Sequence, residues 1–293
     1  TNAATDWKTV LGAGTGGGGS GVFALDVTDP TAFDASKVMW EFKRTDDADI
    51  GQVIGQPRIM KFKISGSGST PSYRWFAVVA SGVNNYVTDA AGNFSATGKP
   101  ALFLLALDKP VGTSWAEGTN YYKITIPVDA TLAATTAPGL VNFNALYGAS
   151  GEVTDIFMGD MHGKLWKLSF GQLLPSDWTM DKLSYFNKGT ATSPIPYPMF
   201  IAKSGSTVQP ITAPPTLFTG PVVGGLETFY ITFGTGKYLE SADNISTLTN
   251  SFYALYDNGS SAGDESPVGE AAISGRGRLM AGTGVIRLLV ADD

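Results

Sequence analysis

The sequence predicts an all-β protein built from repeated four-stranded sheets, of the β-propeller kind. Three observations predict it. One phrase recurs along the chain: an apolar strand, a break containing Gly, then a strand ending in an acidic or polar residue. The composition, with 36 Gly, 16 Pro and only 16% charged residues among 293, suits a turn-rich β protein better than a helical one. Strong helical periodicity is absent, and the one mild candidate, Phe170–Trp178, is short and interrupted by Pro.

The phrase is clearest at Asp155–Phe170, DIFMGDMHGKLWKLSF. Two strands flank the tight turn at Asp160–Gly163. Alternation puts Leu165 and Lys167 on one face and Lys164, Trp166 and Leu168 on the other, which predicts a β-hairpin with one buried face. The same phrase joins Thr9–Gly14 to Gly21–Asp26, Trp75–Gly82 to Ala101–Asp108, and Phe229–Gly234 to Ser251–Asp257. A repeated core with elastic connections is the mark of a radial or stacked fold.

Taken in order, the first strand runs into a Gly-rich loop, Gly14–Gly21. Such a loop signals phosphate binding when Lys-Ser/Thr and a helix follow it. Here a strand follows and the Lys is missing, so the loop reads as a hairpin connection. The strand from Gly21 closes in the turn Thr28-Asp29-Pro30. Lys37–Lys43 alternates as a further strand. Gln56-Pro57 opens a second unit, where Pro gives up only a donor outside the ladder. Ser65–Pro71 is a surface loop. After Trp75–Gly82 comes a long break, Val83–Pro100, then Ala101–Asp108 and an outer strand at Tyr121–Ile126. Pro138–Asn142 opens the third unit, whose outer strand is expected at Leu183–Asn187. Val208–Thr212 opens the fourth, with Gln209-Pro210 echoing Gln56-Pro57. Residues 1–293 thus read as part of one propeller domain of about four to five blades, a sector of a larger ring or a ring completed by other chain. An open sandwich is the alternative, and the recurring strand order argues against it.

The net charge of −6 offers no basic face, which argues against nucleic acid as a partner. The chain has no Cys, which excludes disulfides and thiolate-bound metal but does not fix the compartment. No apolar run approaches the ~18 residues of a membrane-spanning helix. The chain opens at Thr1 with neither Met nor a signal peptide, so a fragment or mature segment of a longer precursor is expected.

Residues able to carry chemistry are few. His162 is the only His, and it sits in the tightest turn beside Asp160. A nucleophile–His–acid triad would need it, yet no nucleophile elbow accompanies it. It is expected as an exposed turn residue in left-handed or bridge geometry. The sequence therefore assigns no catalytic residue. The acidic groups are Asp26/Asp29, Asp46/Asp47/Asp49, Asp155/Asp160 and Asp264/Glu265. Ca²⁺ requires six to eight oxygens. Asp46–Asp49 comes nearest to a calcium loop but lacks its Gly and final Glu, and reads as a solvated loop. Trp7, Trp40, Trp75, Trp115, Trp166 and Trp178 are spread over the units and read as packing between blades.

The phrases GVFALDVTDP (21–30), MWEF (39–42), IGQPRI (54–59), GDMHGKLWKL (159–168), MFIAKSGSTVQPIT (199–212), FGTGKYLE (233–240) and SFYALYD (251–257) follow a familiar order. In them the chain resembles the C-terminal β-propeller of the type IV pilus tip-associated adhesin and biogenesis family, the PilY/PilC-like proteins. The resemblance covers nearly the whole chain. It implies quinoprotein-like four-stranded blades, with the family's N-terminal blades absent upstream of Trp7. It also implies secretion, a place at the pilus tip or outer membrane, and a non-enzymatic role in pilus assembly, surface attachment and twitching motility. Minor pilins or other tip proteins, and a host or abiotic surface, are the implied partners. The family's EF-hand-like loop falls here at Asn142–Asp155, where only Asp155 stands in a ligand position. No metal or cofactor is carried over through it. A pyrroloquinoline-quinone dehydrogenase is the rival reading, since Ala24, Asp26 and Trp40 echo a quinoprotein blade phrase. The Thr31–Val38 insertion breaks the spacing of that motif.

Overall fold

The structure, a computed structural model, describes residues 7–66, 70–259 and 271–273. Four antiparallel sheets follow one another along the chain. The first contains β1 (Val10–Gly14), β2 (Gly21–Asp26) and β3 (Val38–Lys43) in that order. The second is β4 (Arg58–Ser65), β5 (Ser72–Ala80), β6 (Ala101–Ala106) and β7 (Tyr121–Thr125). The third is built on β8 (Leu140–Tyr147), β9 (Val153–Asp160) and β10 (Lys164–Ser169). Two short strands, β11 (Phe186–Asn187) and β12 (Pro196–Tyr197), form a small side hairpin, and β13 (Phe200–Ile201) then adds to β10 as the outer strand of sheet three. A second small hairpin, β14 (Lys203–Ser204) and β15 (Thr207–Val208), leads to sheet four, which holds β16 (Thr216–Thr219), β17 (Phe229–Gly234) and β18 (Phe252–Asp257). Helix is limited to single turns such as α1 (Ala130–Ala133) and α2 (Met180–Leu183). All four recurring phrases are paired antiparallel strands, one pair in each sheet.

The period of two explains how the sheets stack. Side chains alternate across a strand, and the core divides by residue parity. In β6, Ala101, Phe103 and Leu105 pack with Trp40 and Phe42 of sheet one. Leu102, Leu104 and Ala106 pack with Phe143, Ile156, Met158 and Trp166 of sheet three. In the third sheet, Phe157 and Leu165 turn to Ile231, Phe233, Tyr253 and Leu255 of sheet four. Three apolar layers therefore alternate with four sheets, the arrangement of neighbouring propeller blades. Strands buried on both faces must be apolar throughout, as the run Ala-Leu-Phe-Leu-Leu-Ala of β6 shows.

The structure corrects the sequence reading in several places. The hairpin at Asp155–Phe170 has the predicted split of faces, but both are buried, because a blade packs on either side of it. The outer strand of sheet three is Phe200–Ile201 and not Leu183–Asn187. Met180 and Leu183 instead close the layer between sheets two and three from a helical turn. The fourth sheet begins at Thr216, after Val208–Thr212. Among the described residues, sheets one and four have three strands each: one has no strand preceding β1, the other none following β18. Trp40, Trp166 and Trp178 pack inside, whereas Trp7 and Trp75 are exposed.

Glycine sets how closely the blades approach. The segment entering each later sheet lies between the turn of the preceding blade and the turn of its own. Val53 O accepts from Gly16 N at 3.1 Å while Gln52 N donates to Val83 O at 2.8 Å. Leu140 exchanges two bonds with Gly82, and Gly139 O accepts from Met161 N at 3.0 Å. Ile211 N donates to Asp160 O at 3.0 Å, and Pro210 O accepts from Gly236 N at 2.6 Å. A Cβ on Gly55 would lie 1.7 Å from Val141 O, and one on Gly82, at φ +76°, 1.8 Å from Gln52 O. The first contact forces sheets two and three apart, and the second pushes the turn of sheet two off the segment that enters it. Gly55→Ala is expected to lower unfolding stability by roughly 2–4 kcal/mol, while Gly18→Ala, whose Cβ meets open space, shifts it by under about 0.5 kcal/mol. Urea unfolding followed by Trp fluorescence checks both.

Candidate functional site: buried polar groups at the blade junctions

The turn of the central hairpin is the most polar point of the interior. Asp160 is buried and accepts from His162 N, Lys164 N and Trp166 Nε1, each at 2.9 Å. Burial pushes its carboxyl pKa up, opposed by the Trp166 and Lys164 donors. His162 is only 2% exposed, which corrects the expected exposed turn residue. Its Nε2 lies 2.8 Å from Thr136 O. A carbonyl only accepts, so Nε2 carries the proton and donates. The ring ties the segment that enters sheet three to that sheet's own turn. No hydroxyl or thiol nucleophile is bonded to it among the described residues. The pair Asp160–His162 is thus a turn lock, and Gly163, at φ +73°, supplies the left-handed residue.

Two ion pairs join neighbouring blades. Lys167, on β10, reaches Asp257 Oδ2 at the end of β18 at 2.7 Å, with both side chains nearly inaccessible. Its ammonium also lies 3.7 Å from the centroid of the Tyr185 ring. Asp257 Oδ1 accepts from Gly259 N, and the Tyr185 hydroxyl donates to Gly259 O. The second pair corrects the reading of Asp46–Asp49 as a solvated loop. Lys123 on β7 lies 2.8 Å from Asp47 and 3.0 Å from Asp49. The Tyr121 hydroxyl donates to Asp47 at 3.1 Å. Burial and the Asp47 charge push the Tyr121 phenol pKa up. This acidic cluster faces a lysine, which leaves it ill-suited to a cation.

The remaining candidates resolve similarly. Asn142–Asp155 is two paired strands joined by a tight turn. Asp155 accepts from Ser169 Oγ on β10, and Lys61 Nζ donates to the Ser150 carbonyl in the turn. Asn142 and Asn144 reach across blades: Asn142 Nδ2 donates to Thr212 O, and Asn144 Oδ1 accepts from Arg58. No cluster of three metal-ligating side chains occurs among the described residues. Ala24 and Trp40 lie in the layer between sheets one and two. Asp26, at the surface, is bonded by Thr28 and Lys8, which hold its pKa down at about 2. Those three residues make packing and a turn. Asp29 caps a short 3₁₀ turn through Thr31 N. Asp264/Glu265 lie outside the described residues.

Sequence reading missed Lys167–Asp257, since a Lys in an alternating strand reads as solvent-facing. The available signal was its partner phrase: Lys167 shares a face with Leu165, and Asp257 ends the matching strand of the next unit. What this interior does is hold blades in register.

Comparison with known proteins follows the same line. A model of the PilY1 β-propeller domain matches residues 2–280. A type IV pilus biogenesis factor PilY1 homologue of Xylella fastidiosa is 31% identical over 261 residues, covering 87% of this chain and 15% of that protein. The type IV pilus biogenesis factor PilY1 of Pseudomonas aeruginosa is 30% identical over 248 residues, covering 81% of this chain and 18% of its own length. The crystal structure of the P. aeruginosa PilY1 C-terminal domain matches with a TM-score of 0.63 at 23% identity, over 87% of this chain and 48% of that one. The chain therefore spans under a fifth of these relatives and about half of the solved domain.

Removing one partner of the buried Lys167–Asp257 pair leaves a lone charge inside. Lys167→Met is expected to cost roughly 3–5 kcal/mol, and adding Asp257→Leu to restore most of it. A double-mutant cycle in urea, in which the second change brings no recovery, would count against the pair as the cause.

Proposed function

Since this chain belongs to the PilY1 β-propeller family, we propose that it is a propeller module of a secreted type IV pilus biogenesis factor located at the pilus tip or outer membrane. In this reading it promotes pilus assembly and extension, contacts minor pilins or other tip proteins, and supports surface attachment and twitching motility. The observation that carries the reading is the family match over residues 2–280, together with an architecture in which buried polar groups brace blades and lock turns. That bracing supports a non-enzymatic role without cofactor or calcium. The relatives this chain matches at 30–31% identity are type IV pilus biogenesis factors.

We also propose that the chain is a partial set of blades. Sheet four turns an aromatic row outward, Phe218, Tyr230 and Tyr256 on three adjacent strands, with exposures of 52%, 38% and 40%. Tyr230 and Tyr256 stack at 5.2 Å. The face has the character of the three buried layers and suits a further blade of the longer protein.

The test is genetic. Deleting the segment in the producing bacterium should abolish surface pili when filaments are counted by electron microscopy. Replacing residues 83–100 with a short Gly-Ser linker should leave piliation intact and reduce attachment several-fold. Normal piliation after deletion would refute the assembly role. Parallel loss of pili and attachment in the loop variant would refute a separate adhesive role for that loop.

A further inference from the structure

The Gly-rich loop and the long break in the second unit line one cleft together. Between them, at the turn end of sheets one and two, lies a cleft of about 470 Å³. This is within the size range of small-molecule sites. One wall is Gly17–Ser20, and the other is the insertion from Asn84 to Asn93.

Its walls are held from beneath by Arg44, a buried residue. The guanidinium donates to four carbonyls: Ile50 O at 3.2 Å, Asn84 O at 2.7 Å, Asn93 O at 3.2 Å, and Val87 O. Three of these carbonyls belong to the insertion, so a single cation fixes its shape. Asn84 is the one described non-Gly residue with positive φ, at 59°. Its side chain is fixed by Gln52, whose amide in turn donates to Gly17 O at 3.0 Å. Asp89 closes the far end by accepting from the backbone N–H groups of Ala91 and Asn93. The two walls are thus cross-linked and preorganised, which lowers the ordering cost of binding.

The cleft's remaining capacity decides the ligand class. Arg44 and Asp89 are engaged within the walls and are not available to an ion. Lys43, the other cation of the lining, is exposed and lies 3.6 Å from the Glu41 carboxylate, so it contributes little. By contrast, the hydroxyls of Ser20, Thr45 and Thr88 line the cleft without a partner among the described residues. Each both donates and accepts. Val87, Ala91 and the glycines of the loop help to make the lining more apolar than polar. Free hydroxyls set on a mostly apolar lining match a neutral polyhydroxylated ring, which offers hydroxyls at its rim and C–H groups on its face. We propose that this cleft is a saccharide-binding site. The proposal stands on the cleft itself and does not require the pilus role.

The test uses the full 293-residue chain and saturation-transfer NMR with the methyl glycosides of glucose, galactose, mannose and N-acetylglucosamine, each alone and against equimolar phosphate. At least one glycoside should bind with a Kd of about 1 mM, unaffected by phosphate. Gly18→Trp, whose side chain enters open space, should weaken it at least about tenfold, and Thr88→Val about threefold. Circular dichroism and melting of Thr88→Val should match the parent, so this variant reports on the site even if the Trp disturbs folding. Absence of transfer from all four sugars, equal binding by both variants, or displacement by phosphate overturns the proposal.

Discussion

Burial on two sides at once is the constraint on which this structure depends. A sheet with neighbours on both faces has no place for the usual polar side of a β-strand. Every position of β6 is consequently apolar and inaccessible, as is the run Phe76–Ala80 of β5. Parity then decides which neighbour a side chain meets. Phe103 belongs to one layer and Leu104 to the next. A register slip by one residue would exchange the two layers, so the fold is specified strongly wherever large and small residues alternate.

The same constraint explains why the buried charged groups Lys167, Asp257 and Asp160 are each engaged. Lys167 lies between sheets three and four, where an unpaired ammonium would be costly. It has a carboxylate at 2.7 Å and an aromatic face at 3.7 Å. Asp160 has three N–H donors in place of water. Such pairs add less to net stability than apolar packing of similar volume, but they penalise wrong blade placement. In this chain they join segments far apart in sequence, Lys167 to Asp257 and Lys123 to Asp47 and Asp49. With the interior committed in this way, recognition falls to the connections. Among these, the break at residues 83–100 is anchored by Arg44, so its exposed residues sit on a fixed frame.

Much of the candidate site was legible as residue types but not as environments. Gly82, Gly159 and Gly163 were visible as punctuation, and close backbone approach is what each supplies. His162 and Asp47 were read as exposed because local sequence offered turns and nothing else. Their burial comes from segments elsewhere in the chain, Thr136 for one and Lys123 for the other. The outer strand of sheet three was misplaced for a related reason. Leu183–Asn187 has strand-like residues, yet Leu183 and Met180 gain more by closing a core layer from a helical turn. Phe200–Ile201 then takes the edge of β10.

The sequence alone determined four Gly-broken strand pairs and the all-β class. These follow from period-two alternation and turn chemistry, which act over a few residues. Its ordered phrases also pointed to the family. Only the tertiary structure decided that both faces of the central hairpin are covered, that Lys167 and Asp257 are partners, and that a Gly-rich loop and a distant insertion enclose a cleft. Those facts depend on which sheets become neighbours. That choice is made by the summed burial of whole faces, a quantity no short window of sequence contains.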